Sequence, residues 1–496
     1  MLDFTVFCKC KQKNTNMLQT KGIAKIQEIK TLFQDSWTTP EFFSQHLELF
    51  NFSKTSKIFK SVKKSGTPFW DVMRLLFILP FTNINNIASL YTNKIAPKTL
   101  GQKDVYYRTL ANQKINWRNI LLLFVKRYLL LDTKFSQTSD NVKCLIFDDT
   151  EIEKAGKTIE GISKIHSHVT KRFMFGFKLL VAGYWNGSVF IPVDFSFHRE
   201  NKNNKKKKYG LSKKEIRNQK KTKRNSHDPV CKRLKELNVK KNDIIVQMFK
   251  RVNQRKIHVD YILIDSWFTS ITLISKFLNV NKNVNIIGMY KYNSKLDLDG
   301  KQISIKQLRK SKEKLIRSRS SKLHYKSYIA ELEGVKIKVF LTRKGKNGAW
   351  HTIISTDTNL NFSRMIEIYN IRWTIEVFFK ETKQLLGLGK SQSTNFDVQV
   401  AQTTITMIQY LLISLKYRIE AYETIGGLFK DIKHDYIEYK LNERILVIIV
   451  EILAVLDLLI GNIDIEETIS KLICYSDQFS FLKKTGNNIT ITKLAA

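Results

Sequence analysis

Two kinds of hydrophobic patterning alternate along the chain. Up to residue 135, the segments TPEFFSQHLELF, TPFWDVMRLLFILPF, NINNIASLYT and NWRNILLLFVKRYLLL place apolar side chains three or four residues apart, with Thr, Asn or Pro near their starts. That spacing predicts helices. At residue 141 the texture changes. VKCLIFDDT is a short apolar run of the kind that forms a buried strand, closing in Asp148 and Asp149. In FMFGFKLLVAGYWNGSVFIPVDFSFHRE, two β-rich runs flank Trp185-Asn186-Gly187, which predicts a hairpin. A helix is expected over about 228–255, then the apolar strand VDYILID ending in Asp265, the helix SITLISKFLN and the strand VNIIGMYK. Residues 291–360 read as antiparallel strands with Gly turns (SYIAELEG, VKIKVFLTRKG, AWHTIISTD). A helix follows over roughly 362–386, and 391–496 reads as helical.

The helix around YNIRWTIEVFFKETK has no simple two-face pattern. Tyr369, Arg372, Glu376 and Lys383 fall within about 60° of one another on a helical cylinder. Ile368, Ile371, Ile375, Phe378 and Leu385 form a neighbouring apolar stripe. The expectation is a polar stripe running beside a core-facing one, made of phenol, guanidinium, carboxylate and ammonium.

Charge narrows the partners. The 496 residues hold 84 Lys+Arg against 44 Asp+Glu, a net +40, which draws polyanions because Lys and Arg neutralise phosphates and release counterions. Nucleic acid is the first candidate and an anionic membrane the second. Residues 202–224 carry 12 of these cations and one Glu; Lys205, Lys206, Lys207 and Lys208 are expected to sit on a solvated loop that touches phosphates. The helical residues 1–135 are expected to bind DNA, with a purely structural cap as the alternative. No secretory signal is visible at the start. The run ILVIIVEILAVLDLLIG (445–461) is interrupted by Glu451 and Asp457 and reads as a buried or oligomer-facing helix, so no membrane partner is expected. Five scattered cysteines fit a reducing cytoplasm, and Cys8 with Cys10 makes no metal site by itself. His166 and His168 read as non-catalytic.

Asp149 and Asp265 each close an apolar strand, where side chains of an α/β sheet gather around ligands. A helical Glu packed nearby would complete three carboxylates. So many like charges imply raised pKa values or a cation, and hard oxygen donors suit Mg²⁺, with Mn²⁺ as a substitute. Two such ions can run phosphodiester transfer.

The order strand, hairpin, helix, strand and late helical Glu resembles the RNase H-like fold. The segments FDDT, LIDSWF and YNIRWTIEVFFKETK together resemble the DDE transposases of bacterial insertion sequences, of the insertion-sequence-four type, whose signature Y-x₂-R-x₃-E-x₆-K is met by Tyr369, Arg372, Glu376 and Lys383. The resemblance covers about 140–390. It implies an α/β RNase H-like core over 136–290 and 361–390, a β-rich insertion at 291–360, and flanking helical regions at 1–135 and 391–496. It implies Asp149, Asp265 and Glu376 as catalytic metal ligands, with Asp148 as a strand terminus or supporting partner. Arg372 and Lys383 would hold phosphate at the element's end, and Tyr369 would hydrogen-bond the backbone. Trp350 would stack on a flipped base, or else fill a core. The implied activity is Mg²⁺-dependent cut-and-paste transposition in the bacterial cytoplasm. A homodimer would act on the element's inverted repeats and on target DNA, through a hairpin intermediate. The alternatives are an RNase H-like DNase or resolvase and a catalytically inactive DNA-binding regulator.

Overall fold

The computed structural model describes residues 65–82, 86–92, 101–135, 141–167, 170–200, 211–291, 293–298, 300–345, 347–420 and 424–435, with isolated positions up to 471. The expected helix TPEFFSQHLELF, the run 445–461 apart from isolated positions, residues 205–208, His168, Cys8 and Cys10 lie outside these residues.

The chain divides into two compact units, one centred on 104–421 and one that joins 30–103 to 422–496. In the latter, α1 (Phe69–Ile78) buries Phe69, Trp70, Val72, Met73, Leu75, Leu76 and Phe77, a 3₁₀ turn (Leu79–Phe81) follows, and α2 is Ile87–Thr92. Phe81 packs on Phe429 with ring centroids 4.9 Å apart.

The larger unit begins with α3 (Lys103–Leu110) and α4 (Trp117–Phe135). Next come β1 (Cys144–Glu153), β2 (Ser163–His166), β3 (Phe173–Trp185) and β4 (Phe190–His198). The β3–β4 hairpin forms at Asn186-Gly187, as the sequence predicts. Asn186 Oδ1 accepts the N–H groups of Ser188 and Val189. Gly187 takes φ 102°, where a Cβ would also lie 2.4 Å from that of Asn141.

The short α5 (Lys213–Arg217) starts with a Ser212–Glu215 capping box. The helix expected over 228–255 is two: α6 (Pro229–Glu236) and α7 (Lys241–Gln254). Pro229 opens the first at a position where its missing N–H costs nothing. Then β5 (Tyr261–Ile264), α8 (Ile271–Val280) capped by the Ser270 side chain, and β6 (Asn285–Met289) build the parallel part.

The β-rich stretch contains β7 (Lys295–Leu298), β8 (Lys301–Ser304), α9 (Ile305–Lys310), β9 (Ile316–Arg317), β10 (Leu323–Leu332), β11 (Val335–Lys344) and β12 (His351–Ser355). It does not stand apart as a separate sheet. β12 pairs antiparallel with β6, Ile353 opposite Met289, so a single 12-stranded mixed sheet runs β2-β3-β1-β5-β6-β12-β11-β10-β7-β8, with β4 on β3 and β9 on β10. Among the described pairings, only β1–β5 and β5–β6 are parallel.

The unit closes with α10 (Phe362–Asn370), α11 (Trp373–Leu385) and α12 (Phe396–Glu420). Phenylalanine supplies much of the packing. Phe396 of α12 lies 6.2 Å from Phe177 and 5.8 Å from Phe197 between ring centroids, and Phe378 of α11 lies 5.1 Å from Phe190. Such pairs add about 0.5–1.5 kcal/mol beyond their buried area. Among the described residues one helix, Phe396–Tyr417 within α12, has the length and apolarity to cross a membrane, and 94% of that window is buried in the protein.

Candidate active site

The site is set by which way β1 turns its side chains. Successive residues of a strand point to opposite faces. Phe147 stacks on Phe277 of α8, centroids 6.0 Å apart. On that same face the Asp149 carboxylate accepts from Lys241 Nζ, at the start of α7, at 2.7 Å. The other face belongs to α11: Asp148 pairs with the Arg372 guanidinium at 3.2 Å, and Thr150 Oγ1 accepts from Lys383 Nζ at 2.7 Å. The parallel register sets Ile146 against Leu263; continued past the end of β5, it places Asp148 beside Asp265. Asp148 thus shares a face with Arg372 and Glu376, while Asp149, the expected first carboxylate, pairs with Lys241 and still acts electrostatically on Asp265. β1 also runs on through Asp149 to Glu153 instead of ending there.

The single helix expected over 362–386 breaks at Ile371–Arg372. Ile371 N–H donates to Ile368 O and Arg372 N–H to Tyr369 O, each at 3.0 Å, in three-residue turns between α10 and α11. The break moves Tyr369 off the expected outer stripe. Its side chain is 6% exposed, and its hydroxyl donates to Ile264 O, at the end of β5, at 3.4 Å. Tyr369 thus braces the strand that leads to Asp265. Arg372 is also 6% exposed. Its guanidinium bridges Asp148 to Glu376, the latter at 2.7 Å, so it faces carboxylates rather than solvent.

Asp265 sits in a tight turn. Its carboxylate accepts the backbone N–H groups of Trp267 at 2.8 Å and Phe268 at 3.4 Å, and its carbonyl accepts from Thr269 Oγ1 at 2.6 Å. Gly288 of β6 lets the strand approach this turn, since a Cβ there would lie 2.5 Å from Thr269 Oγ1.

Burial dominates the electrostatics. It pushes the Asp148 carboxyl up to about 8; Arg372 pulls it down in part, while Asp265 and Asp149 push it up further. Burial also raises Asp265, against the stabilising pull of the Trp267 N–H, and takes Tyr369 up to about 12. Burial opposes the charge on Arg372, yet Tyr369, Asp148 and Glu376 hold it above its ordinary value. Lys383 is lowered by burial.

Among the described residues no three Asp, Glu, His or Cys side chains converge closely enough to hold one ion. The reason is local: the Arg372 guanidinium lies between Asp148 and Glu376 as their counter-ion. The donors nonetheless fit a hard divalent cation. They are carboxylate oxygens, and burial raises two of the three in spite of Arg372.

The transposase DDE domain model matches residues 143–412, more than half of the chain and all of this site. The chain belongs to the transposase DDE domain family. No curated protein matches it.

In this transposase the remaining expected residues are dispersed. Trp350 precedes β12 and lies between Arg343, 4.8 Å from the ring centroid, and Arg309, 5.5 Å away. It lines a cavity of about 340 Å³ with Lys306, Lys310, Glu313 and Lys326. None of the three carboxylates lines that cavity. His166 ends β2, its ring 5.1 Å from Phe173.

Two participants escaped the sequence reading. Lys241 neutralises Asp149 from 92 residues away in sequence, which no local pattern announces. His198, 3% exposed, has its pKa lowered to about 4, by burial and then by Lys241; its position at the end of a wholly buried strand was the available signal.

Proposed function

We propose that this transposase is a cut-and-paste enzyme of the insertion-sequence-four type on an RNase H-like core, with Asp148, Asp265 and Glu376 as its carboxylate set. The observation that carries the reading is the family match over 143–412, supported by the Arg372 bridge from Asp148 to Glu376 and by the register that sets Asp265 beside Asp148. In this reading Mg²⁺ or Mn²⁺ is held by the three carboxylates; when bound, it supplies Lewis-acid activation of the phosphodiester.

The protein's own groups do the rest. Arg372 balances Asp148 and Glu376 in the free protein, and its planar fork is suited to a phosphate oxygen once the carboxylates are otherwise neutralised. Lys383, docked on Thr150, supplies a point charge for the DNA backbone. Tyr369 keeps the end of β5 in place, so Asp265 does not drift from Asp148. Trp350, amid five cations, suits a displaced base with its phosphates, consistent with a hairpin intermediate. Lys205–Lys208 add non-specific backbone affinity. A homodimer on the inverted repeats would bring two such sites to the two ends.

The test is to incubate the purified chain with DNA that carries the gene's flanking repeats at both ends, in Mg²⁺. Nicked, hairpin and joined products, resolved on a denaturing gel, are expected. Cutting without joining would favour the nuclease alternative, and absence of any cutting the inactive regulator.

A further inference from the structure

Trp267 is the most exposed large hydrophobic side chain among the described residues, at 68%. It stands in the turn after β5, two residues beyond Asp265. Its neighbours anchor that turn inward: Phe268 is 4% exposed and Thr269 6%. The turn is rigid by bonding as well. Asp265 O accepts from Phe268 N–H at 3.3 Å and from Thr269 N–H at 3.0 Å, and the Trp267 N–H is held 2.8 Å from the Asp265 carboxylate. A large apolar ring held out on a rigid turn does nothing for the core.

Its surroundings are cationic. Lys291, exposed just past β6, places its ammonium 5.9 Å from the Trp267 ring centroid. Both residues stand outside the C-terminal ends of the two adjacent parallel strands β5 and β6, the edge at which open α/β sheets bind ligands. A π-face beside a positive charge is the combination that receives a nucleobase and its phosphate.

We propose that Trp267 is a base-stacking residue that positions a nucleotide next to the phosphate attacked at Asp265, with Lys291 taking the adjoining phosphate. This rests on the reading of the Asp265 region as the cutting site. The chain spacing supports adjacency. The Trp267 backbone touches the Asp265 carboxylate, and successive phosphates of one strand are about 3.4 Å apart along the helix axis, so the ring serves a base within one or two nucleotides of the cut. The site differs from that of Trp350, which faces its own cavity beyond β12. Rigid presentation lowers the ordering cost on binding, and stacking tolerates any base, so sequence preference is not expected from this contact.

The experiment is a double-mutant cycle between ring and base. The full-length wild type first locates the scissile phosphate on an end duplex carrying the flanking repeat. Abasic sugars are then placed singly at the nucleotides beside it, and dissociation constants are measured for wild type, Trp267→Ala and Trp267→Phe. At one position, Trp267→Ala is expected to weaken binding of the intact end about 5- to 150-fold. The abasic sugar should weaken the wild type similarly and the alanine variant little further, and Trp267→Phe should retain most of the affinity. If the losses multiply independently at every position, or if phenylalanine is no better than alanine, the proposal is overturned. Should the alanine variant misfold, Trp267→Leu, apolar but without a π-face, takes its place in the same cycle. A wild type that never nicks the end defeats the underlying reading; normal nicking with no coupling defeats Trp267 alone.

Discussion

Replacing Asp148 by Asn should make the metal-free protein more stable while making it inactive. The Asp148 side chain is 16% exposed, and burial raises its carboxyl from 3.8 to about 8. A group whose pKa is raised by folding leaves stability undiminished below its unfolded value, and stability is lost as pH climbs through the folded value. For Asp148 that window runs from about pH 4 to about pH 8. Each pH unit inside it is worth up to about 1.36 kcal/mol. Allowing for partial solvation and for the compensating charge of Arg372, the penalty near neutrality is on the order of 2–4 kcal/mol. An amide has no charge to desolvate and still accepts a hydrogen bond from Arg372. Urea midpoints of wild type and Asp148→Asn, in EDTA and across that pH range, should therefore diverge: nearly equal at the acid end, with the variant higher near neutrality. Parallel curves, or a variant less stable at neutral pH, would show that burial does not govern this carboxyl. Divalent metal should shrink the difference, since its charge offsets the desolvation of the carboxylate.

Other outcomes follow from the same geometry. Arg224, its side chain 3% exposed, pairs with Glu160 at 2.5 Å and Asp397 at 3.0 Å; Arg224→Met strands two buried carboxylates and should cost about 3–5 kcal/mol, read from the urea midpoint. Trp350→Ala should spare the first nick and impair the hairpin step, as the product ratio on a denaturing gel will reveal; equal loss of both would make Trp350 a packing residue for Arg309 and Arg343. Neutralising Lys205–Lys208 should flatten the slope of log affinity against log salt by about 0.9 for each DNA phosphate that is no longer neutralised, and an unchanged slope would make that run a bystander.

What the sequence revealed and what it hid divide along physical lines. The β3–β4 hairpin was legible because Asn-Gly fixes a turn locally. The strands beginning at Cys144 and Tyr261 were legible because both faces are buried and their runs are continuously apolar. Which partner each of Asp148 and Asp149 meets was not legible. A one-residue step reverses the face of a strand, and which face matters depends on where α11 packs, far away in sequence. The stripe Tyr369–Arg372–Glu376–Lys383 was visible as spacing. Periodicity, however, cannot register a helix break, nor that Tyr369 and Arg372 are folded inward onto Ile264 and Asp148. The joining of the β-rich stretch to the core sheet through β12 and β6 is likewise a long-range pairing that no local pattern specifies. Trp267 was seen only as part of a motif, because exposure is a property of the fold and not of the residue.

If one face of β1, carrying Asp148 with Asp265 and Glu376, does the cutting, the two neighbouring aspartates must behave differently. The deciding quantity is the initial nicking rate in Mg²⁺, on one end duplex, of Asp148→Asn and Asp149→Asn side by side, with end binding measured for both. Asp148→Asn is expected to bind but not to nick. Asp149→Asn, which loses its pairing with Lys241, should stay within about tenfold of wild type, a barrier change of no more than about 1.4 kcal/mol. Nicking by Asp148→Asn at the wild-type rate, with Asp149→Asn inert, would place the chemistry on the opposite face and overturn the assignment.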